Sequence, residues 1–257
     1  MSGAPTFEEL LAEGESVPVD GWDFSWFEGR ASEQRPSWGY SGMLPGRIAG
    51  AGVVLDVQTG GGEVLAGVLA QLPGAARRVV ATEGWPPNVP VARANLHPYG
   101  ARVVEVADDV DLPFIHVGVD LVTSRHPTRV RWPEIARVLA PGGTYLSQQV
   151  GAGSQRELTD FLLGPQPVSD SRRPERAAAQ AAAAGLRVVD LRSEALRTVF
   201  LDVAAVVAFL RKVVWIVPGF TVARYRDRLA ALHRRIRSEG CFASHAQRFL
   251  IEARKPH

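Results

Sequence analysis

Val53-Val54-Leu55-Asp56-Val57-Gln58-Thr59-Gly60-Gly61-Gly62 is the stretch on which the fold of this chain turns. A short apolar run ends in an acid, and the chain then breaks into consecutive glycines at Gly60, Gly61 and Gly62. The pattern reads as a buried strand that delivers a tight loop to the edge of a sheet. Glycine has no Cβ, so the backbone there can take positive φ and approach a ligand closely. A strand–glycine loop–helix unit is a common way to hold a nucleotide-like ligand at the carboxyl edge of a parallel sheet.

The surroundings of the loop separate the candidate ligands. A phosphate-binding loop of the Gly-x-x-x-x-Gly-Lys-Ser/Thr type needs a lysine, and the lysines here, Lys212 and Lys255, are far from it in sequence. A dinucleotide fingerprint needs Gly-x-Gly-x-x-Gly; Gly60 and Gly62 supply the first pair, but Leu65 stands in the third position. The remaining candidate is S-adenosylmethionine, which carries a sulfonium, an ammonium and a carboxylate but no pyrophosphate. An acid ahead of the glycines suits that charge distribution.

On these residues the chain resembles the class I S-adenosylmethionine-dependent methyltransferases, whose first motif reads Asp/Glu-x-Gly-x-Gly-x-Gly. It appears here as Asp56 to Gly62, with Gln58 in place of the first glycine. Four later segments follow in the family's order. Arg78-Val79-Val80-Ala81-Thr82-Glu83 is an apolar strand ending in an acid, and Glu83 lies about 20 residues past the loop, the offset of an acid that accepts from ribose hydroxyls. Trp85 follows, either against an adenine face or as ordinary packing. Arg102 to Asp109 comes next, with Leu112-Pro113-Phe114 behind it. The resemblance gives Asp108 the adenine amino group, with Asp109 as its rival. Val119-Asp120-Leu121-Val122-Thr123-Ser124-Arg125-His126-Pro127 matches the fourth strand. Trp132 to Gly143, containing Arg137-Val138-Leu139-Ala140-Pro141-Gly142-Gly143, matches a helix and stop ahead of the strand Thr144 to Val150. The flanks Trp38-Gly39-Tyr40 and Phe209 to Trp215 are similar to a bacterial group of methyltransferases of undefined substrate. The resemblance thus implies S-adenosyl-L-methionine as cofactor and S-adenosyl-L-homocysteine as product. It implies a cofactor set of Asp56, Gln58, Thr59, Gly60, Gly62, Glu83, Trp85, Asp108, Asp109 and Ser124.

At 257 residues the chain can bury one sizeable core. Apolar runs stay short of the 18 or so residues that suggest a membrane span, and the start Met-Ser-Gly-Ala-Pro lacks a basic, apolar leader. The single cysteine, Cys241, gives neither an internal disulfide nor a metal cluster, so a cytoplasmic protein with no metal is expected. The net charge of +2 comes almost wholly from arginine. Arg224, Arg226, Arg228, Arg234, Arg235 and Arg237 form a local basic stripe. A phosphate backbone would suit it; a solvated helix face, with Val222, Tyr225, Leu229, Leu232 and Ile236 turned inward, is the favoured reading.

Five apolar runs alternate with helical segments across residues 53–150, the pattern of a doubly wound, mainly parallel sheet. Pro174 to Ala184 reads as a helix, Leu186 to Leu191 as a sixth strand and Arg248 to Arg254 as a seventh. By resemblance the last two strands pair antiparallel at one edge. The expected organisation is an aromatic-rich cap over residues 1–45, a cofactor-binding core over 46–200, a helical lid over 201–243 and the final strand over 244–257. The cap carries Asp20, Trp22, Asp23, Phe24, Trp26, Phe27, Trp38 and Tyr40. The lid reads as helices from Asp202 to Trp215 and Thr221 to Ser238, the first apolar almost all round and therefore buried.

Methyl transfer from a sulfonium is an in-line displacement from an activated donor, so alignment matters most. A general base matters when the acceptor is a hydroxyl or a protonated amine. His126, after the fourth strand, is the best-placed titratable group, with a hydrogen-bonded turn as its alternative. Arg125 could bind an anionic group. Of Gln148 and Gln149 one must face away, because side chains alternate on a strand; Gln149 joins Trp26, Trp38 and Tyr40 as the expected acceptor pocket. The expected activity is methyl transfer to nitrogen or oxygen of a small molecule. The rivals are an RNA-base methyltransferase using the Arg224–Arg237 stripe and a cofactor-fold protein without catalysis.

Overall fold

The computed structural model of the chain describes residues 4–19, 24–72, 78–114 and 118–257; Asp20, Trp22 and Asp23 of the lead segment lie outside them. In chain order the elements are α1 (Phe7–Ser16), β1 (Ala31–Glu33), α2 (Tyr40–Ala49), β2 (Val53–Asp56), α3 (Glu63–Leu69), β3 (Arg78–Glu83), α4 (Asn88–Leu96) and β4 (Arg102–Glu105). They continue as β5 (Val119–Arg125), α5 (Trp132–Val138), β6 (Leu139–Val150), α6 (Arg156–Leu163), α7 (Pro174–Ala183), β7 (Arg187–Phe200), α8 (Val203–Lys212), α9 (Val222–Glu239) and β8 (Phe242–Arg254). Several starts follow from capping. Thr6 and Glu9 form a reciprocal capping box on α1. The side chains of Asp202 and Thr221 accept the first free amides of α8 and α9. Gly240, in the left-handed region, ends α9.

These elements form two compact units. One comprises residues 36–151, 170–194 and 248–257. Its strands lie in the order β7-β8-β6-β5-β2-β3-β4. β2 pairs in parallel with β3 and β5, β3 with β4, and β5 with β6, while β8 runs antiparallel to β6. Alternation along each strand feeds two cores. Val54, Leu121, Leu146 and Leu250 pack with Leu44 and Ile48 of α2 and Leu65 and Val68 of α3. Leu55, Val122, Tyr145 and Phe249 pack on the other face with Trp132 and Ile135 of α5 and Ala177 and Ala181 of α7. Helices on both faces of a largely parallel sheet make this a doubly wound, Rossmann-like α/β fold.

The other unit comprises residues 1–35, 152–169 and 195–247. Leu10 and Leu11 of α1, Leu158 and Leu162 of α6, Val203 to Ala208 of α8 and Leu229, Leu232 and Ile236 of α9 form its core. The helix α8 is buried almost all round, as its composition predicts. Gly14 of α1 lies so close to α8 that a Cβ on it would meet the Ala204 carbonyl oxygen at 2.7 Å. On α9, Arg226 pairs with Glu8, Arg235 pairs with Glu239 and lies over Phe242, and Arg224 lies over Tyr225.

The sheet departs from the expected seven strands: eight are present among the described residues, the extra one being β1, which pairs antiparallel with the end of β7 through Ala31↔Phe200, Ser32↔Val199 and Glu33↔Thr198. Ala-Ser-Glu has no apolar alternation and no β-branched residue, so only the partner strand makes it a strand. Strand β6 also begins before Pro141-Gly142-Gly143 rather than after it. Gly142 donates to the Lys255 carbonyl and Lys255 donates to that of Gly143, while the register against β5 shifts between Val119 and Leu121. Among the described residues no helix is long and apolar enough to cross a membrane.

Candidate functional site

At the carboxyl edge of β2 the chain leaves the sheet along two backbone bonds, Val57 N–H to the Thr123 carbonyl at 2.8 Å and Thr59 N–H to that of Thr82 at 2.9 Å. Gly60 and Gly62 have φ of 65° and 79°, the region that favours glycine. The amide of Gly60 donates to Oε2 of Glu83 at 2.7 Å, and the amide of Trp85 donates to Oε1 at 2.8 Å. Glu83, at the end of β3 and only 6% exposed, therefore ties the glycine bend to the loop after its own strand. Asn95 of α4 donates to the Gly61 carbonyl at 2.9 Å. A Cβ at Gly62 would approach Leu96 to 3.0 Å, so packing against α4 adds to the demand for glycine there.

The two carboxylates at this edge are held with their charge disfavoured. Burial pushes Asp56 up to about 6, opposed by the Thr123 hydroxyl, which donates to its Oδ1 at 2.5 Å. Burial also raises Glu83, the amides of Trp85 and Gly60 oppose the shift, and the like charge of Asp108 adds to it.

Gln58 occupies the left-handed region with φ of 57°, which explains why a glycine is the usual residue at this point of the motif. Its side chain reaches across to the loop after β5. Nε2 donates to the Arg129 carbonyl at 2.6 Å, and Oε1 accepts from the Thr128 amide at 2.7 Å. The Thr128 hydroxyl donates to Asp108. Asp108, rather than exposed Asp109, is thus turned towards this loop. Beneath the bridge lies a cavity of about 30 Å³ lined by Gln58, Thr82, Asp108, Ser124, Glu134 and Tyr145, among others. That volume holds about two waters. The acids, the left-handed glycines and the strand-end amides fit an adenosyl group in kind, and the Gln58 side chain is bonded across that edge to the loop after β5.

Alternation sorts the remaining residues onto two faces. Ser124 Oγ lies 2.8 Å from the Tyr145 hydroxyl and 2.9 Å from Ser147 Oγ, a buried hydroxyl cluster with Trp132 edge-on to Tyr145. Gln149 belongs to that side; it is buried and its Nε2 lacks a hydrogen-bond partner. On the other face Trp38 Nε1 donates to Oε1 of Gln148 at 2.8 Å, and Nε2 of Gln148 lies 2.9 Å from Nε2 of His126. His126 also has a left-handed backbone, with φ of 54°, and its amide donates to the Gln148 carbonyl. Burial lowers the imidazole well below its usual range, and the positive charges of Arg125 and Arg248 lower it further. Arg125 is at the exposed end of β5. The Tyr40 hydroxyl donates to the Ser124 carbonyl at 3.1 Å.

The structure therefore brings Asp56, Gln58, Thr59, Gly60, Gly62, Glu83, Trp85, Asp108 and Ser124 to one sheet edge. The Thr59 hydroxyl is buried without a partner, and Trp85 is 45% exposed. Trp26 belongs to the other unit, where the Arg30 guanidinium lies 4.5 Å from its ring centroid. Sequence reasoning passed over Thr123 and Thr128. Thr123 could have been found as the strand residue beside Asp56; Thr128 becomes visible only once the Gln58 side chain is placed.

Residues 55–147 match a family model described as a methyltransferase domain. No curated protein matches the sequence. Among solved structures, a candidate methyltransferase from Bacillus halodurans is 19% identical, with 84% of this chain and 98% of that one covered and a TM-score of 0.57. The YcgJ protein of Bacillus subtilis is 18% identical over 85% of this chain and 98% of its own, with a TM-score of 0.57. The (4+2)-cyclase SpnF is 17% identical, with 98% of each chain covered and a TM-score of 0.52. At these identities the likeness carries the fold, and a cyclase among the neighbours illustrates that fold alone does not fix a reaction. Residues 55–147 thus match a methyltransferase-domain model, and the chain has the Rossmann-like fold of the class I methyltransferases.

Proposed function

We propose that the protein is an S-adenosylmethionine-dependent methyltransferase that transfers a methyl group to nitrogen or oxygen of a small-molecule acceptor. The observation that supports it best is the Glu83 carboxylate bonded to the Gly60 amide. It sets an acceptor of ribose hydroxyls against a glycine bend at the sheet's carboxyl edge, where ligands of such folds bind. Asp108 is the partner for the adenine amino group, Trp85 offers a half-exposed ring for the base, and Thr59, Gly60 and Gly62 form the cradle. The cofactor, when bound, supplies an electrophilic methyl on a sulfonium. The chain's task is then to orient the acceptor and exclude water. Arg125 and His126, at the end of β5, are the polar groups offered to the acceptor.

A second reading is a protein that keeps the fold without methyl transfer. The Gln58 bridge and the small cavity favour it. Isothermal titration with S-adenosylmethionine and S-adenosylhomocysteine tests the cofactor site, and release of S-adenosylhomocysteine in the presence of an acceptor separates the two. Heat of binding in the wild-type protein is expected, with Glu83→Ala weakening affinity by about 1–3 kcal/mol through lost hydrogen bonds. Absence of binding to either compound supports the second reading.

A further inference from the structure

Trp38, Gln148 and His126 form a chain whose directions follow from chemistry alone. An indole N–H can only donate. The oxygen of Gln148 is therefore the atom that receives Trp38 at 2.8 Å, and its NH₂ is the group that faces His126 Nε2 at 2.9 Å. A donor aimed at an imidazole nitrogen requires a lone pair there, so the neutral ring carries its proton on Nδ1. Gln148 is 4% exposed and Trp38 is 7% exposed, so water does not readily replace either bond. The backbone adds to the constraint: the His126 amide donates to the Gln148 carbonyl at 2.7 Å, and the residue sits at φ of 54°. Non-glycine residues persist in such conformations where surrounding structure over-determines them, often at functional sites.

We propose that Trp38 and Gln148 are positioning residues that lock His126 as its Nδ1–H tautomer, so that His126 serves the acceptor as a neutral hydrogen-bond donor and not as a general base. Its relevance to catalysis rests on the methyltransferase reading; the tautomer itself does not. A proton arriving at Nε2 would face the Gln148 NH₂, donor against donor. Relief would require the amide to turn over, which would set its NH₂ against the Trp38 N–H. One buried donor is left without a partner either way, a cost comparable to the full desolvation of that group. The charged groups acting on the ring, Arg125 from β5 and Arg248 from β8, oppose protonation as well. The complementary acceptor is one that presents an oxygen lone pair to Nδ1–H and whose nucleophile is already deprotonated when it meets the methyl group.

The test is long-range ¹H–¹⁵N spectroscopy of the ligand-free protein labelled at histidine, with the His126 signal assigned by its loss in His126→Asn. In the wild type, His126 is expected to show the Nδ1–H pattern throughout the range near neutrality where free imidazole titrates. Gln148→Glu replaces the NH₂ with an acceptor of both neighbours. It should move the proton to Nε2 and raise the titration midpoint into or above the ordinary histidine range. Trp38→Phe releases the amide without adding charge and should give a mixture of tautomers, so the proposal stays testable if Gln148→Glu does not fold. A wild-type Nε2–H tautomer, or unchanged tautomer and midpoint in the folded variants, overturns it. Because no cofactor is present, failure of cofactor binding and failure of the relay are read separately.

Discussion

Asp56 illustrates how much a single carboxylate can be asked to do at a strand end. Its folded value of about 6 lies above the ordinary aspartate value of 3.8, so the folded state holds the proton more tightly than the unfolded chain. Its contribution to stability is therefore present at low pH and declines as pH rises from about 4 through about 6. Asp56→Asn keeps an oxygen for the Thr123 hydroxyl and removes the charge. Thermal or urea unfolding should show the variant more stable than wild type above pH 6, by up to about 3 kcal/mol for a shift of roughly two units, with the difference vanishing near pH 4. A wild type whose stability does not fall across that window would refute the assignment. At this scale the sequence spoke clearly for Glu83 and the glycines, because a strand-end acid and positive φ have strong residue preferences. It was silent on Gln58's partners, because a flexible side chain that reaches another loop leaves no local trace.

Among elements, the contact between α1 and α8 sets two effects of one substitution against each other. Gly14→Ala should gain up to about 1 kcal/mol of helix propensity. The added Cβ, however, would lie 2.7 Å from the Ala204 carbonyl oxygen and 2.8 Å from Val207 Cβ, both on α8. Overpacking of this kind costs about 1–3 kcal/mol, so the net effect is expected to be a loss, measured as a lower denaturant midpoint at unchanged slope. A gain would mean that the helices part without strain. The elements most legible in advance were those with a local signal: the apolar runs of β2 to β5, the all-round apolar α8 and the helically spaced apolar residues of α9. The Tyr40–Ala49 helix escaped notice because it contains Pro45 and follows glycine, and β1 because its pairing is entirely tertiary.

Separate cores in the two compact units predict that damage to one will be felt unevenly. Leu229 is fully buried among α1, α8 and α9 and belongs to neither core of the sheet-bearing unit. Leu229→Ala should cost about 2–5 kcal/mol and speed amide exchange in α8 and α9 far more than in β2 and β3. Uniform acceleration would show that the chain opens as a single cooperative body. Fold class was readable at this scale because periodicity and order of elements determine layers. The assembly of residues 1–35, 152–169 and 195–247 into one unit was not, since it joins three stretches remote in sequence.

The strap from Gln58 to Thr128 and Arg129 carries a kinetic implication. On the methyltransferase reading proposed above, entry of the methyl donor and exit of its spent product would each unfasten this clasp. Gln58→Gly should therefore quicken donor association in stopped-flow mixing more than it alters equilibrium affinity, making a glycine there an accelerator of exchange rather than a better grip.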